Sequence, residues 1–209
     1  MEAKSTYDGV RKSLSPELDE IADADLRDRV VAAYVLALSE TSLESLDDMR
    51  CSGMVGMLHV PWLTQAHHLR GVGRISRLLA VEVRTLYDRD VDLDPDIALA
   101  AGLVHDVGKP FFYDGTRIDR WHTEKARTGQ PPFRHTVYGA HLALQAGLPL
   151  EVAHVIAGHD IGMEGQYVER SVYLDIVAHA DALYWQAATK LLAGLEQDDT
   201  LAERPYFLP

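Results

Sequence analysis

The sequence predicts an all-α fold, and three observations carry that prediction. Apolar residues recur every three to four positions through most of the chain. Helix-start pairs such as Asp94-Pro95 and helix-stop glycines such as Gly147 punctuate them. No stretch of strand length alternates apolar with polar residues.

Taken in order, Ser15-Pro16-Glu17 reads as N-cap, first helical position and first-turn acid. Leu18, Ile21, Val30, Tyr34 and Leu38 follow at near-helical spacing, so an amphipathic helix is expected over 16–40. A shorter helix is expected over 43–50, and Gly53, Gly56 and Pro61 make 51–62 a loop or short helix. The next helix runs from about Thr64 to Leu86, with Val72, Ile75, Leu78, Leu79 and Val83 as its buried stripe. His68 stands one turn before Val72 on that face. Gly71 and Gly73 each weaken this helix by about 1 kcal/mol relative to Ala, a cost tolerated where another backbone or a ligand comes close. Asp94-Pro95 opens a helix that carries Ile97 to Val104 up to His105.

Residues 110–134 change character. Phe111, Phe112, Asp114-Gly115, Gly129 and Pro131-Pro132 signal loops, and Arg117, Arg120, Lys125, Arg127 and Arg134 make this the most basic stretch of the chain. Such a long connection inside a compact domain points to a functional role. Thr136 to Ala146 then reads as a helix closed by Gly147, and Pro149 starts another that ends near Gly158. A last long helix is expected over 171–193, with Ile176, Leu183, Leu191 and Leu192 among its apolar positions. The expected organisation is an N-terminal helical extension, 1–60, packed on a core domain, 61–195, followed by a C-terminal tail, 196–209.

At 209 residues, with 47% hydrophobic and 25% charged, this is the composition of an ordinary globular domain. No run of 18 apolar residues suggests a membrane span, and the N-terminus lacks the apolar core of a secretory signal. The single cysteine, Cys51, excludes an internal disulfide and fits a cytoplasmic location. A net charge of −12 disfavours a nucleic acid polymer as partner, since duplex DNA is bound mostly through Lys and Arg. A small anionic substrate held by a local basic patch remains compatible with that charge.

The chemistry gathers around His105-Asp106, within Ala-Gly-Leu-Val-His-Asp-Val-Gly-Lys, 101–109. Neighbouring residues on an α-helix diverge by about 100 degrees. Gly108, taking left-handed backbone angles at a helix end, would let both side chains turn toward one ion. The metal-capable residues at helix ends or on apolar faces are His68, His105, Asp106, His135, His159 and Asp181. They come from five successive helical segments, which is how helix bundles build metal sites in their cores. Four imidazoles and two carboxylates suit two first-row divalent ions, with Asp106 bridging. The nitrogen-rich set favours iron, manganese or cobalt over magnesium, and the lack of thiolates disfavours structural zinc.

These motifs resemble those of the HD superfamily of metal-dependent phosphohydrolases. The match to its central motif at 101–109 is close, and Ala-Asp-Ala-Leu, 180–183, resembles its distal aspartate. The segment from His68 to Arg77 resembles the first motif, whose register selects His68 over His67. The segments 135–140 and 156–160 resemble the two further histidine motifs of binuclear members. The resemblance spans about 64–185 and implies an HD-type helical bundle with additional N-terminal helices. It also implies a hydrolase using two divalent transition-metal ions, iron or manganese, on a phosphomonoester, nucleotide or phosphodiester through a metal-activated hydroxide. A minority of the superfamily, resembling inositol- and phosphonate-cleaving enzymes, uses the same ligands as a mixed-valence diiron oxygenase. Many binuclear phosphodiesterases of the family carry a second histidine where Asp160 stands here.

In the hydrolytic reading Asp106 and Lys109 are catalytic, Lys109 meeting a phosphoryl oxygen as a point charge. Lys109, Arg134, His122 and Asp160 are assigned to the substrate. His67 is expected to support the ligands, whereas His141, His154 and His179 read as helix-face residues.

Overall fold

The computed structural model describes residues 2–39, 41–49, 63–87, 91–113, 133–162 and 164–192. Among them the regular structure is helical, with no sheet. The order is α1 (Glu2–Leu14), a 3-10 turn (Glu17–Glu20), α2 (Ala24–Ser39), a second 3-10 turn (Leu46–Asp48), α3 (Gln65–Thr85) and α4 (Pro95–Val104). Then come α5 (Pro110–Tyr113), α6 (His135–Gln145), α7 (Leu150–Gly158), a third 3-10 turn (Glu164–Tyr167) and α8 (Val172–Leu192).

Helix α4 is the hub. Every residue from Ala98 to Val104 is buried, so it is apolar all round, as a helix enclosed by others must be. Asp94 caps its start by accepting a hydrogen bond from the backbone of Asp96 at 2.8 Å, and Pro95 opens it, as the sequence predicts. Around α4 one core cluster joins Val10 and Leu14 of α1, Tyr34 of α2, Leu69 of α3, Leu142 of α6, Ile156 of α7 and Leu174 of α8. Helices α3 and α4 approach so closely that a Cβ on Gly102 would lie 2.7 Å from the Cα of Gly73. A Cβ on Gly73 would in turn lie 3.1 Å from Leu99 and Leu103, which accounts for the helix-weakening glycine there.

The buried stripe of α3 differs from the expected one. Leu69, Val72, Gly73, Ser76 and Ala80 face inward, whereas Leu78 is 64% exposed. At this close crossing, small side chains are what fit. Helix α8 shows the same rule: its buried side includes Ala178, Ala180 and Ala188, while Leu183 and Leu191 face outward.

The single helix expected over 16–40 is broken. Leu18, Ile21, Val30, Tyr34 and Leu38 are all buried, but a 3-10 turn and a bend at 21–23 divide them. Asp23 causes the division by offering its carboxylate to the backbone N–H of Asp25 at 2.9 Å, capping a new helix. Ser15 is no N-cap. Its hydroxyl donates to the carbonyl of Arg11 and to Asp19 instead. The helix expected over 43–50 contracts to the 3-10 turn at Leu46–Asp48, capped by Ser45. The N-terminal segment is joined to the bundle by polar contacts as well. The Tyr34 hydroxyl donates to the Leu103 carbonyl at 2.9 Å, and buried Glu17 accepts from Arg70 of α3 at 2.6 Å.

Candidate metal centre

The site begins where α4 stops. After Val104 the chain tightens into i→i+3 turns: Val107 N–H donates to Val104 O at 2.9 Å, and Lys109 N–H to Asp106 O at 2.8 Å. His105 keeps helical backbone angles, φ −53° and ψ −31°. Gly108 does not adopt the left-handed conformation expected from the sequence; among the described residues only Gly147 has positive φ. Glycine is needed at 108 for a different reason. A Cβ there would lie 2.1 Å from the carbonyl oxygen of His135 and 2.8 Å from the amide nitrogen of Gly139. The bare backbone lets the start of α6 press against this turn, which brings His135 to Asp106.

Two histidines are held alike. His105 and His159 each follow the last residue of a helix, α4 and α7, and each turns its Nδ1 back to a carbonyl three residues earlier. The distances are 2.7 Å to Gly102 and 2.9 Å to Ile156. A carbonyl only accepts, so Nδ1 carries the proton and Nε2 faces the centre of the site. His68 of α3 completes one imidazole pair, its Nε2 3.1 Å from that of His105. His135 completes the other, 3.3 Å from His159 Nε2.

Asp106 stands between the pairs, and each oxygen serves one of them. Oδ2 lies 3.3 Å from Nε2 of both His68 and His105. Oδ1 lies 3.5 Å from His135 and 3.4 Å from His159. Oδ2 also accepts from Lys109 Nζ at 2.7 Å and from Gln65 Nε2 at 2.9 Å. Oδ1 is buried and has no hydrogen-bond partner. Asp181, from α8, reaches the first pair, with Oδ1 at 3.4 Å from His68 and 3.9 Å from His105. That oxygen too is buried and lacks a hydrogen bond. Two sets of ligand atoms have the proximity that an ion requires: His68, His105 and Asp181, and His105, Asp106 and His159.

The electrostatics follow from this crowding. Burial pushes His68 and His135 below the usual imidazole range, His135 furthest, so both stay neutral. Burial acts on His105 in the same direction, but the Asp106 and Asp181 carboxylates outweigh it and raise that group. Burial would raise Asp106; Lys109 and the neighbouring imidazoles overcome it and hold the carboxyl well below its ordinary value.

All six residues assigned to metal by the sequence are thus brought together. Lys109 is adjacent but occupied: its ammonium grips Asp106. Arg134 sits at the N-cap of α6, next to His135. Asp160 follows His159, and its carbonyl accepts from Gly165 N–H. His122 and most of the basic 110–134 segment lie outside the described residues. His67 is exposed and bonds Thr64 Oγ1, so the support expected from it comes instead from Gln65. His179 is exposed, bonded to the carbonyl of Asp175. Gln65 carries one signal in retrospect, standing three residues before His68 on the same helical face. The rings of Tyr184 and Trp185 pack on His68 with centroids 4.8 and 5.1 Å away, a wall the sequence did not announce.

This order of histidines and aspartates around one helix end is matched by a family model, that of the HD domain, over residues 66–185, more than half of the chain. The chain belongs to the HD domain family. HD-domain proteins are generally metal-dependent hydrolases, and this HD domain has the His/Asp groups to hold metal. No curated protein and no solved structure matches the chain. Among the described residues no helix is long and apolar enough to cross a membrane.

Proposed function

We propose that this HD-domain protein is a phosphohydrolase acting on a small phosphorylated substrate, a phosphomonoester, nucleotide or phosphodiester, with two divalent transition-metal ions, iron or manganese. The observation that carries this reading is the division of Asp106, one oxygen to each imidazole pair, with Oδ1 buried and unpartnered. Ligand atoms about 2.1 Å from a shared ion lie roughly 3.0 Å apart at a right angle and roughly 3.4 Å at the tetrahedral angle. Most of the observed separations, 3.1 to 3.5 Å, fall in that range. Without a cation, Oδ1 of Asp106 and Oδ1 of Asp181 are buried with no hydrogen-bond partner, a costly arrangement.

His68, His105, Asp181 and Oδ2 of Asp106 would hold one ion; His135, His159 and Oδ1 would hold the other. Bound there, the ions supply Lewis acidity and a nucleophilic water at neutral pH. The residues themselves decide the rest. His68, His105 and Asp106 are sealed, at most 1% exposed, whereas His135, Lys109 and Asp181 are 18, 19 and 23% exposed at their side chains. Substrate therefore enters on the side of these three. The Lys109 ammonium stands there to neutralise charge on a phosphoryl oxygen as it develops. Arg134, beside His135, is placed for the remainder of the anion, with His122 and Asp160 as further substrate contacts.

The test is an oxygen-free assay of Mn²⁺- or Fe²⁺-loaded protein against nucleoside monophosphates, cyclic nucleotides and simple phosphoesters. At least one substrate should be hydrolysed. Turnover of none, or dioxygen consumption with a polyol or phosphonate as the sole activity, would overturn the proposal.

A further inference from the structure

Gln65 takes no part in the hydrolysis just described, yet its surroundings are unusual. Its side chain lies in the core at 1% exposure, Nε2 donates to Asp106 Oδ2 at 2.9 Å, and Oε1 has no partner. A buried amide oxygen left without a hydrogen bond is costly, so the side chain is held there by something stronger than its own preference. The backbone from which it extends is fixed at the start of α3. The Gln65 backbone N–H donates to the Met49 carbonyl at 2.8 Å, and the Thr64 hydroxyl to Asp47 Oδ1 at 3.2 Å. Asp47 Oδ2 in turn accepts from the Ser13 hydroxyl of α1 at 2.7 Å.

Asp106 needs such a partner. The terminal torsion of an aspartate is broad and does not itself choose which oxygen faces which direction. Lys109 cannot make the choice firmly, because a flexible ammonium follows whichever oxygen is nearer. An amide fixed through a helix start can. We propose that Gln65 is a positioning residue that sets the rotation of the Asp106 carboxylate, Oδ2 toward His68 and His105 and Oδ1 toward His135 and His159, and that the N-terminal segment anchors it through Met49 and Asp47. This inference rests on the two-ion reading above.

The experiment is Mn²⁺ titration of the chelated full-length protein, followed by calorimetry and electron paramagnetic resonance, for wild type, Gln65→Met and Thr64→Val. Gln65→Met keeps length and removes the donor. It should weaken at least one of the two ions by about 10- to 100-fold, the usual effect of losing a partner of a metal ligand, while the thermal midpoint in chelator stays near wild type. Thr64→Val should shift affinity in the same direction by a smaller factor. If Gln65→Met does not fold, Gln65→Ala replaces it with the same expected loss. Affinities within about twofold of wild type for both ions, whether or not stability falls, would overturn the positioning role and leave the two-ion reading standing. A wild type that takes up no ion would overturn that reading itself.

Discussion

Asp106 and Glu17 are both carboxylates with almost no exposed side-chain surface, at 1% and 4%, and they are partnered in opposite ways. Glu17 faces two guanidinium groups, Arg70 Nε at 2.6 Å and Arg74 Nε at 3.8 Å, whose charge is permanent at any pH the protein meets. Asp106 faces one ammonium, one amide and four imidazoles, and a second carboxylate, Asp181, stands against the same rings. The first cluster is closed by cations already in the chain. The second is short of positive charge in a place where charge is expensive to leave uncompensated. A buried acid closed by arginines fastens two segments. A buried acid ringed by imidazoles, with one oxygen left unpartnered, suits a cation from outside.

That contrast is broken most severely by removing Asp106. Asp106→Ala should lose both ions, with elemental analysis finding close to none per chain, and activity should fall below detection. Retention of one ion would show that the aspartate does not bridge. Next in size is Lys109→Ala, which should lower the rate about 10²- to 10³-fold, some 2.7–4 kcal/mol of barrier, without changing the metal count. An unchanged rate in the assay above would assign Lys109 to Asp106 alone.

Glu17→Gln probes the other side of the comparison. Breaking a buried ion pair costs about 3–5 kcal/mol when the surviving charge stays trapped. Here Arg70 and Arg74 are 31% and 67% exposed at their side chains, so water can take over, and a loss of about 1–3 kcal/mol is expected from denaturant melts. The metal count and the rate should not move. A changed metal count would mean that the two carboxylates are coupled through α3, which carries both Arg70 and His68.

The smallest effect concerns pH in the metal-free protein. His68 and His135 are depressed by burial, so between their folded values and about 6.5 the unfolded chain binds more protons than the native one. Their contribution to stability is present above that range and is lost as pH falls. His105, raised mainly by Asp106 and Asp181 against the pull of burial, contributes oppositely: its stability is fully present below about 6.5 and is lost as pH rises through its folded value. Two groups oppose one, and the denaturation midpoint in chelator should fall between pH 7 and pH 5. His135→Asn should flatten that fall. A midpoint that rises on acidification would contradict the burial of these neutral rings.

The six residues that the structure gathers around Asp106 were legible in the sequence because chemistry restricts their types. Few residues other than His and Asp at helix ends can bind an ion, and His68, His105, Asp106, His135, His159 and Asp181 converge. Asp94-Pro95 announced α4 because a cap and a fixed φ act locally. What escaped depends on contacts between segments. The break at Asp23 lies inside an unbroken apolar rhythm, since Leu18, Ile21 and Val30 are buried on both sides of it. Leu78 is exposed because the α3–α4 crossing selects small side chains, a preference set by the partner helix. Gly108 was identified as necessary for the wrong reason; its neighbour in space, His135, is 27 positions away in the chain. Gln65 escaped because an amide at a helix start has no signature until Asp106 is found beside it.

We propose that Asp106 links two ions, one in each imidazole pair. That link is tested most directly by saturating the chelated protein with Mn²⁺ and recording the electron paramagnetic resonance spectrum. Uptake of about two ions per chain is expected, roughly 3.5–4 Å apart, with an exchange-coupled spectrum that reverts to that of a single ion in His135→Ala. Saturation at one ion, with an uncoupled six-line spectrum unchanged by His135→Ala, would contradict it.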